Sequence, residues 1–472
     1  MKKKIIVILT IIVLVLIGFL YQTFAMSNTI TESSDAYVLN ISDNTSIELP
    51  AGTSKNVYYK LTNTNGGTVK YGVGYSGTNV EARVYGDTID TETGLIDYME
   101  NKFIKLKLIN NGTTPSTITL KTVLGYEKGG DLIVPSGVTL VTKVEPPSNF
   151  AKYLTWLYKT SEKSAVVNNN ITYNTSPSLS LMNDRLGGTT TSIDGGNIRY
   201  YGANPNNYIY FNCTTYPSTD CELWRIVGVF DGKVKIVRKD SIGTYSYDNS
   251  GTESTTGSNN WEISRLMKLL NPNYESEYGG SLYWNRQDGK CYSGSSVDAS
   301  KNCNMSSLGL KNTATKNMIN KNTWYLRGSN TTELYANEYY QRERVTGSVY
   351  PTTPVRSNTW DGYVGLIYTS DYGYSADLSK CSGLNIYNYS SSTNNYECRS
   401  NNWLYTGDFK WLLAPHSTTN TTIFRLVSDG TVRSANAASN GMYVYPAVYL
   451  NKNISISGGN GTSSTPYTIS AY

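Results

Sequence analysis

Few side chains here are suited to covalent chemistry, and their spacing limits which chemistries are open. His416 is the only histidine among 472 residues, so any Ser-His-Asp or Cys-His arrangement must pass through it. It stands in Ala414-Pro415-His416-Ser417, after an apolar Trp411-Leu412-Leu413 segment, and no Gly-x-Ser-x-Gly elbow offers it a nucleophile. A solvated loop histidine is the simpler reading, and no catalytic residue is assigned. Among carboxylates, Asp361 and Asp371 bracket Gly362 to Ser370, and Glu343 lies between Arg342 and Arg344. Such groups could form the acid and base of a glycosidase. Glu343 flanked by arginines reads more simply as an ion-paired structural residue, and the two aspartates as turn caps.

The six cysteines fall as close neighbours: Cys213 with Cys221, Cys291 with Cys303, Cys381 with Cys398. An even count in an exported chain reads as disulfides, and nearest-neighbour pairing closes the shortest loops. None of the three pairs has Cys-x-x-Cys spacing and only one histidine could join them, so no metal is expected. Walker, dinucleotide and EF-hand patterns are missing as well, so no cofactor is expected.

Binding is better provided for. Trp360, Asp361, Tyr363, Asp371, Tyr372 and Tyr374 crowd into one motif of flat apolar faces and polar tips, a mixture that stacks on sugars or anchors a protein partner. These six are the candidate ligand-binding residues. The motif lies in a loop-rich stretch from Gly328 to Trp403. The competing reading for Trp360 and Tyr368 is burial beside the apolar Val364-Gly365-Leu366-Ile367 segment.

Elements that would position this motif begin with an address. Lys2, Lys3 and Lys4 precede an apolar run from Ile5 to Tyr21, so residues 1–25 read as a signal peptide or an N-terminal membrane anchor, the anchor being favoured by the length of the run. The expected placement is a single N-terminal pass with the bulk of the chain extracellular. No apolar tail follows at Thr468 to Tyr472, so no second tether is expected. Three of the five net positive charges belong to the leading lysines, which leaves too little for a nucleic-acid footprint.

Residues 28–145 contain short alternating segments: Val57 to Leu61, Thr68 to Val73, Phe103 to Leu108 and Thr117 to Lys121, separated by Asn- and Gly-rich turns. They predict an Ig-like β-sandwich acting as a spacer. Pro146 and Pro147 close it. Ser148 could cap a helix with Phe150, Leu154, Leu157 and Tyr158 on one face, and the polar stretch Asn168 to Ser180 reads as loop, so 146–190 is expected to be helix and linker.

From 191 to 472 an α+β domain is predicted. Asp231-Gly232 should turn Leu223 to Phe230 back onto Lys233 to Arg238, and Ser428-Asp429-Gly430 should join Ile423 to Val427 with Thr431 to Arg433. Asn260 is placed to cap a helix carrying Ile263, Leu266, Met267 and Leu270. The ordered series NIRYYGANPNNYIYFN, LWRIVGVFDGKVKIVR, NWEISRLMKLLN, WDGYVGLIYTSDYGY, NWLYTGDFKWLLAP, FRLVSDGTV and YPAVYLNKNISISGGNGTSSTPY resembles a family of function-unknown domains on surface proteins of Gram-positive gut bacteria, over residues 190 to 470. Its end, a Trp-Leu-Leu segment, a Gly-turn hairpin and a Pro-Ala-Val strand, is also similar to the C-type-lectin-like fold shared with formylglycine-generating enzymes. The resemblance implies a disulfide-stabilised, lectin-like domain that presents ligands on long loops. It does not carry over oxidase activity, since Cys381 and Cys398 sit in an insertion before Trp403 without the cationic setting a reactive thiolate needs. The resulting expectation is a cell-surface binding or adhesion protein for a glycan or a protein. An exported polysaccharide hydrolase and a purely structural surface protein are the alternatives.

Overall fold

The computed structural model describes residues 38–40, 46–63, 67–85, 92–125, 131–141, 144–161, 164–168, 171–185, 196–250, 254–271, 289–291, 301–303, 308–344, 356–389, 396–439 and 441–470. The lysine-led apolar run lies outside them, and among the described residues no helix is long and apolar enough to cross a membrane. The chain divides into two compact units, Met1–Pro147 and Ser148–Tyr472. Most of the regular structure is β-sheet, with a few short helices.

In the first unit every predicted alternating segment is a strand. Ser54–Thr62 and Asn101–Asn110 pair over nine positions, with Val57, Tyr59 and Leu61 buried on one side and Ile104, Leu106 and Leu108 beside them. Val69–Ser76 and Ser116–Gly125 form the centre of a second sheet. Residues from both five-stranded sheets meet in one apolar cluster, which is a sandwich built by period-two alternation. Asn110 is buried at one end, where its amide donates to the carbonyls of Leu49 and Thr114 and pins the turn between them.

The second unit is organised by a nine-stranded antiparallel sheet. The Asp231-Gly232 turn is present with both residues at positive φ, 49° and 72°, and it joins Glu222–Phe230 to Lys233–Arg238. That conformation matches the twist of the flanking strands, which is why Asp-Gly signals a hairpin. The second expected hairpin is also present, between Thr422–Leu426 and Val432–Asn436.

Two readings are corrected by the fold. Asn149, rather than Ser148, caps the helix Phe150–Ser161, its carboxamide oxygen accepting from the Lys152 amide at 3.1 Å. The segment expected to be linker instead supplies strands Ser164–Asn168, Ile171–Ser176 and Leu181–Asn183 to the large sheet. Their polar Asn, Ser and Thr residues hid the strand signal because many of them are satisfied inside the sheet, Thr175, Ser176 and Asn183 being buried. Asn260 does cap, but over a three-residue turn, Trp261–Ile263; Ser264 then caps the α-helix Arg265–Leu270.

Cys213 is joined to Cys221 and Cys381 to Cys398. Cys291 and Cys303 lie on two short paired strands, Gly289–Cys291 and Lys301–Cys303, and their side chains fall outside the described residues.

Candidate functional site

The six-residue aromatic motif does not stay together. Trp360 and Asp361 lie on the strand Thr359–Gly362, where Trp360 is half-buried edge-on to Trp261 and exposed Asp361 accepts from the Thr323 hydroxyl at 2.6 Å. Tyr363, next along, is half-buried. Asp371, Tyr372 and Tyr374 belong to the short helix Thr369–Tyr374 and are enclosed in the core. Tyr372 donates to the Gly430 carbonyl at 2.7 Å, and the Tyr374 ring packs edge-on to Tyr173. These three are out of reach of an external ligand in this conformation. The burial weighed for Tyr368 holds.

What Asp371 does is internal. Arg199, Gly228 and Lys235 are direct cross-strand neighbours, so the two cations stand on one face of the sheet with a glycine between them. A Cβ at Gly228 would meet the Ile198 carbonyl oxygen at 2.2 Å, so this register needs glycine. Asp371 accepts from Arg199 Nη1 at 2.8 Å and Lys235 Nζ at 2.5 Å, and from the Tyr368 amide at 3.0 Å. Asp184 completes the group on Arg199 Nε at 2.5 Å. Aromatic rings enclose both cations, Tyr374 and Phe230 over Arg199 and Tyr368 over Lys235. Burial alone would raise the Asp371 carboxyl, but Lys235 and Arg199 outweigh it and hold it at about 2. Lys235 is brought down to about 8 by burial, against the pull of Asp371. Because Asp371 answers to two cations and a backbone amide, it stays ionised at neutral pH. Nearby, buried Glu343 accepts from the Ser370 amide and hydroxyl at 3.0 and 2.5 Å and pairs with Arg344 at 3.3 Å, as an ion-paired structural residue would. Burial pushes it up to about 6. The carboxylates considered for a glycosidase therefore do not face one another across a cleft: Asp361 is at the surface, and Asp371 and Glu343 are consumed by internal partners.

His416 is half-buried, with Thr418 Oγ1 at 3.2 Å from its Nδ1, beside a cavity of about 30 Å³. That is room for a water, not a substrate. Burial lowers its pKa. No group of three or more His, Cys, Asp or Glu suited to a metal occurs among the described residues.

A larger cavity, about 520 Å³, opens elsewhere in this unit. Its basic lining residues are Arg225, Arg238, Lys239, Arg399 and Lys410, against only Asp240 and Asp408, and its aromatic ones are Tyr208, Trp403, Tyr405 and Tyr445. Arg225 projects from the strand Glu222–Phe230, directly opposite Tyr208 on the neighbouring strand Tyr208–Phe211. Its guanidinium lies 3.9 Å from the Tyr208 ring centre and 4.9 Å from that of Trp403, and Trp403 is itself fixed by its indole N–H donating to the Tyr200 carbonyl. Arg225 Nε donates to Asn207 at 2.5 Å and Nη1 to the Tyr208 hydroxyl at 3.1 Å, while buried Nη2 has no partner among the described residues. Burial lowers its pKa to about 10. Lys410 begins the strand Lys410–Pro415, is 3% exposed, donates to the Leu404 carbonyl at 2.9 Å and lies 4.3 Å over the Tyr445 ring. Burial pushes it down to about 7 although Asp408 pulls upward. The Asp408 carboxylate accepts from the Tyr445 and Thr406 hydroxyls, at 2.5 and 2.8 Å.

The contrast among buried cations singles this cavity out. Arg199 and Lys235 each meet a carboxylate in the core. Among the described residues Arg225 and Lys410 form no ion pair, yet both are more than nine-tenths buried and both line the same cavity. Leaving a buried cation without an anion costs free energy, and such costs concentrate where a ligand binds. The sequence reading missed both residues. The available signal was a lone cation inside an apolar strand, Arg225 between Trp224 and Ile226 and Lys410 between Phe409 and Trp411.

No family model, curated protein or solved structure matches this chain.

Proposed function

We propose that the chain is an exported cell-surface protein that binds an extracellular ligand, a glycan or a protein, in the cavity of its second unit. On this reading the lysine-led run tethers the chain to the membrane, the first unit is an Ig-like spacer, and the second is a lectin-like recognition domain. The observation that carries the proposal is the pair of buried cations, Arg225 and Lys410, without an ion pair among the described residues, on the wall of a cavity whose volume falls within the roughly 300–1,000 Å³ typical of small-ligand sites. Aromatic rings beside the cations supply the flat apolar faces that saccharides and side chains stack on.

The test is a glycan and protein array probed with the exported chain, followed by titration of each hit against Arg225→Met and Trp360→Ala. Binding lost in Arg225→Met and kept in Trp360→Ala supports the cavity. The reverse pattern would return the site to the Trp360–Tyr363 surface, and an array without hits would remove the binding role. The tether has its own check: fractionation of the producing cells should find the intact chain with membranes, and a mature chain starting at Met26 in the medium would show cleavage instead.

A further inference from the structure

We infer that the group seated in this cavity is a carboxylate-bearing sugar, a uronic or nonulosonic acid residue, held by its anion between Arg225 and Lys410. The inference rests on the ligand-binding reading above and adds its chemistry. Trp403 stacks on Arg225, and the carbonyl of the next residue, Leu404, accepts from Lys410, so both cations stand against one two-residue segment. Both also line the same cavity, so an anion seated there has a cation on either side to answer. Asp408 still acts on Lys410 through its charge but takes its hydrogen bonds from Tyr445 and Thr406, and among the described residues it makes no ion pair with Lys410. Of the other lining acid, Asp240, the carboxylate lies 3.2 Å from the exposed ammonium of Lys239. The Arg225 guanidinium lies within 3.9 Å of the Tyr208 ring centre and 4.9 Å of that of Trp403, and a guanidinium fork matches a planar carboxylate. The cavity is a half-open cleft of small-ligand size, which fits one or two sugar rings better than a protein surface, and the Tyr208, Tyr405 and Tyr445 rings on its wall fit the ring faces of a saccharide.

The experiment is titration of the full exported chain, followed by tryptophan fluorescence and by melting temperature, with galacturonic acid, its trimer and N-acetylneuraminic acid. Galactose and N-acetylgalactosamine serve as neutral counterparts, inorganic phosphate and sulfate as bare anions, and a Glu-rich peptide as the protein-type anion. The expected result is that at least one acidic sugar binds and raises the melting temperature while its neutral counterpart does neither. Arg225→Met and Lys410→Met should each weaken acidic-sugar binding by about 30-fold or more, as losing one partner of a buried charge pair does. The ligand-induced rise in melting temperature is read on the unaltered chain, so the proposal remains testable where a variant fails to fold. Equal binding of neutral and acidic sugars would overturn the anion while leaving the binding site standing. Stronger binding of the acidic peptide, or of phosphate and sulfate alone, would overturn the sugar. No shift with any of the probes would overturn this inference, while array hits lost in Arg225→Met would still uphold the broader reading.

Discussion

Asp371→Asn tests whether the buried ionic centre holds the second unit together. The substitution keeps size and shape and removes one negative charge. In the structure that charge receives two charge-assisted hydrogen bonds, from Arg199 at 2.8 Å and Lys235 at 2.5 Å, in a site where all three side chains are at most 1% exposed. Holding the carboxyl at about 2 instead of 3.8 corresponds to roughly 2.5 kcal/mol in favour of the ionised form. Arg199 keeps Asp184, whereas Lys235 keeps no other carboxylate at ion-pair distance among the described residues and must shed its proton or stay charged among aromatic rings. Breaking a buried pair in this way costs about 3–5 kcal/mol, and that is the expected loss. All eight tryptophans lie beyond Ser148, so their emission during urea unfolding of the whole chain reports this unit alone. Adding Lys235→Met should recover part of the loss, giving a coupling of roughly 1 kcal/mol or more in the double-mutant cycle. The sign with pH follows from a depressed carboxylate: its stabilisation is present above 3.8 and fades as pH falls through about 2, so the wild-type advantage over Asp371→Asn is flat from pH 5 to 7 and shrinks below 4. A loss under about 1 kcal/mol, or no coupling to Lys235, would refute the reasoning.

Three further outcomes are expected. Glu343 is raised to about 6 by burial, so its folded form holds a proton the unfolded chain has released, and stability should fall by about 2 kcal/mol as pH climbs from 4.5 through 6; Glu343→Gln should abolish that fall in paired urea titrations. Lys410 is lowered from 10.5 to about 7, so its burial penalises the fold fully below pH 7 and progressively less toward pH 10.5; Lys410→Met should raise the melting temperature most at pH 6 and least at pH 10. Tyr372→Ala and Tyr374→Ala remove fully buried rings and should each cost about 3–5 kcal/mol, with ligand affinity of the folded fraction unchanged; a binding loss without a stability loss would show that these rings are reached by ligand.

Much of the architecture was legible because local rules carry it. Val57, Tyr59 and Leu61 alternate inward, Asp231-Gly232 takes the turn its chemistry favours, and two cysteine pairs close where their spacing placed them. Each of these depends on residues near one another along the chain, at most 17 positions apart. The polar strands of 164–183 were hidden, since their sheet partners rather than their composition satisfy them.

Residue order alone also set the supply of chemistry: one histidine, six cysteines spaced as three near neighbours, and aromatics in abundance. Whether an aromatic meets ligand or core was decided by tertiary structure, because a motif contiguous in sequence runs from an exposed strand, Thr359–Gly362, into a buried helix, Thr369–Tyr374. The same holds for the cations. Arg199, Arg225, Lys235 and Lys410 look alike in sequence, each embedded among apolar neighbours. Only the packing of distant segments gives the first and third an ion pair with residue 371 and leaves the second and fourth on a cavity wall with no ion pair among the described residues, since a charge's partner is set by distance in space and not along the chain.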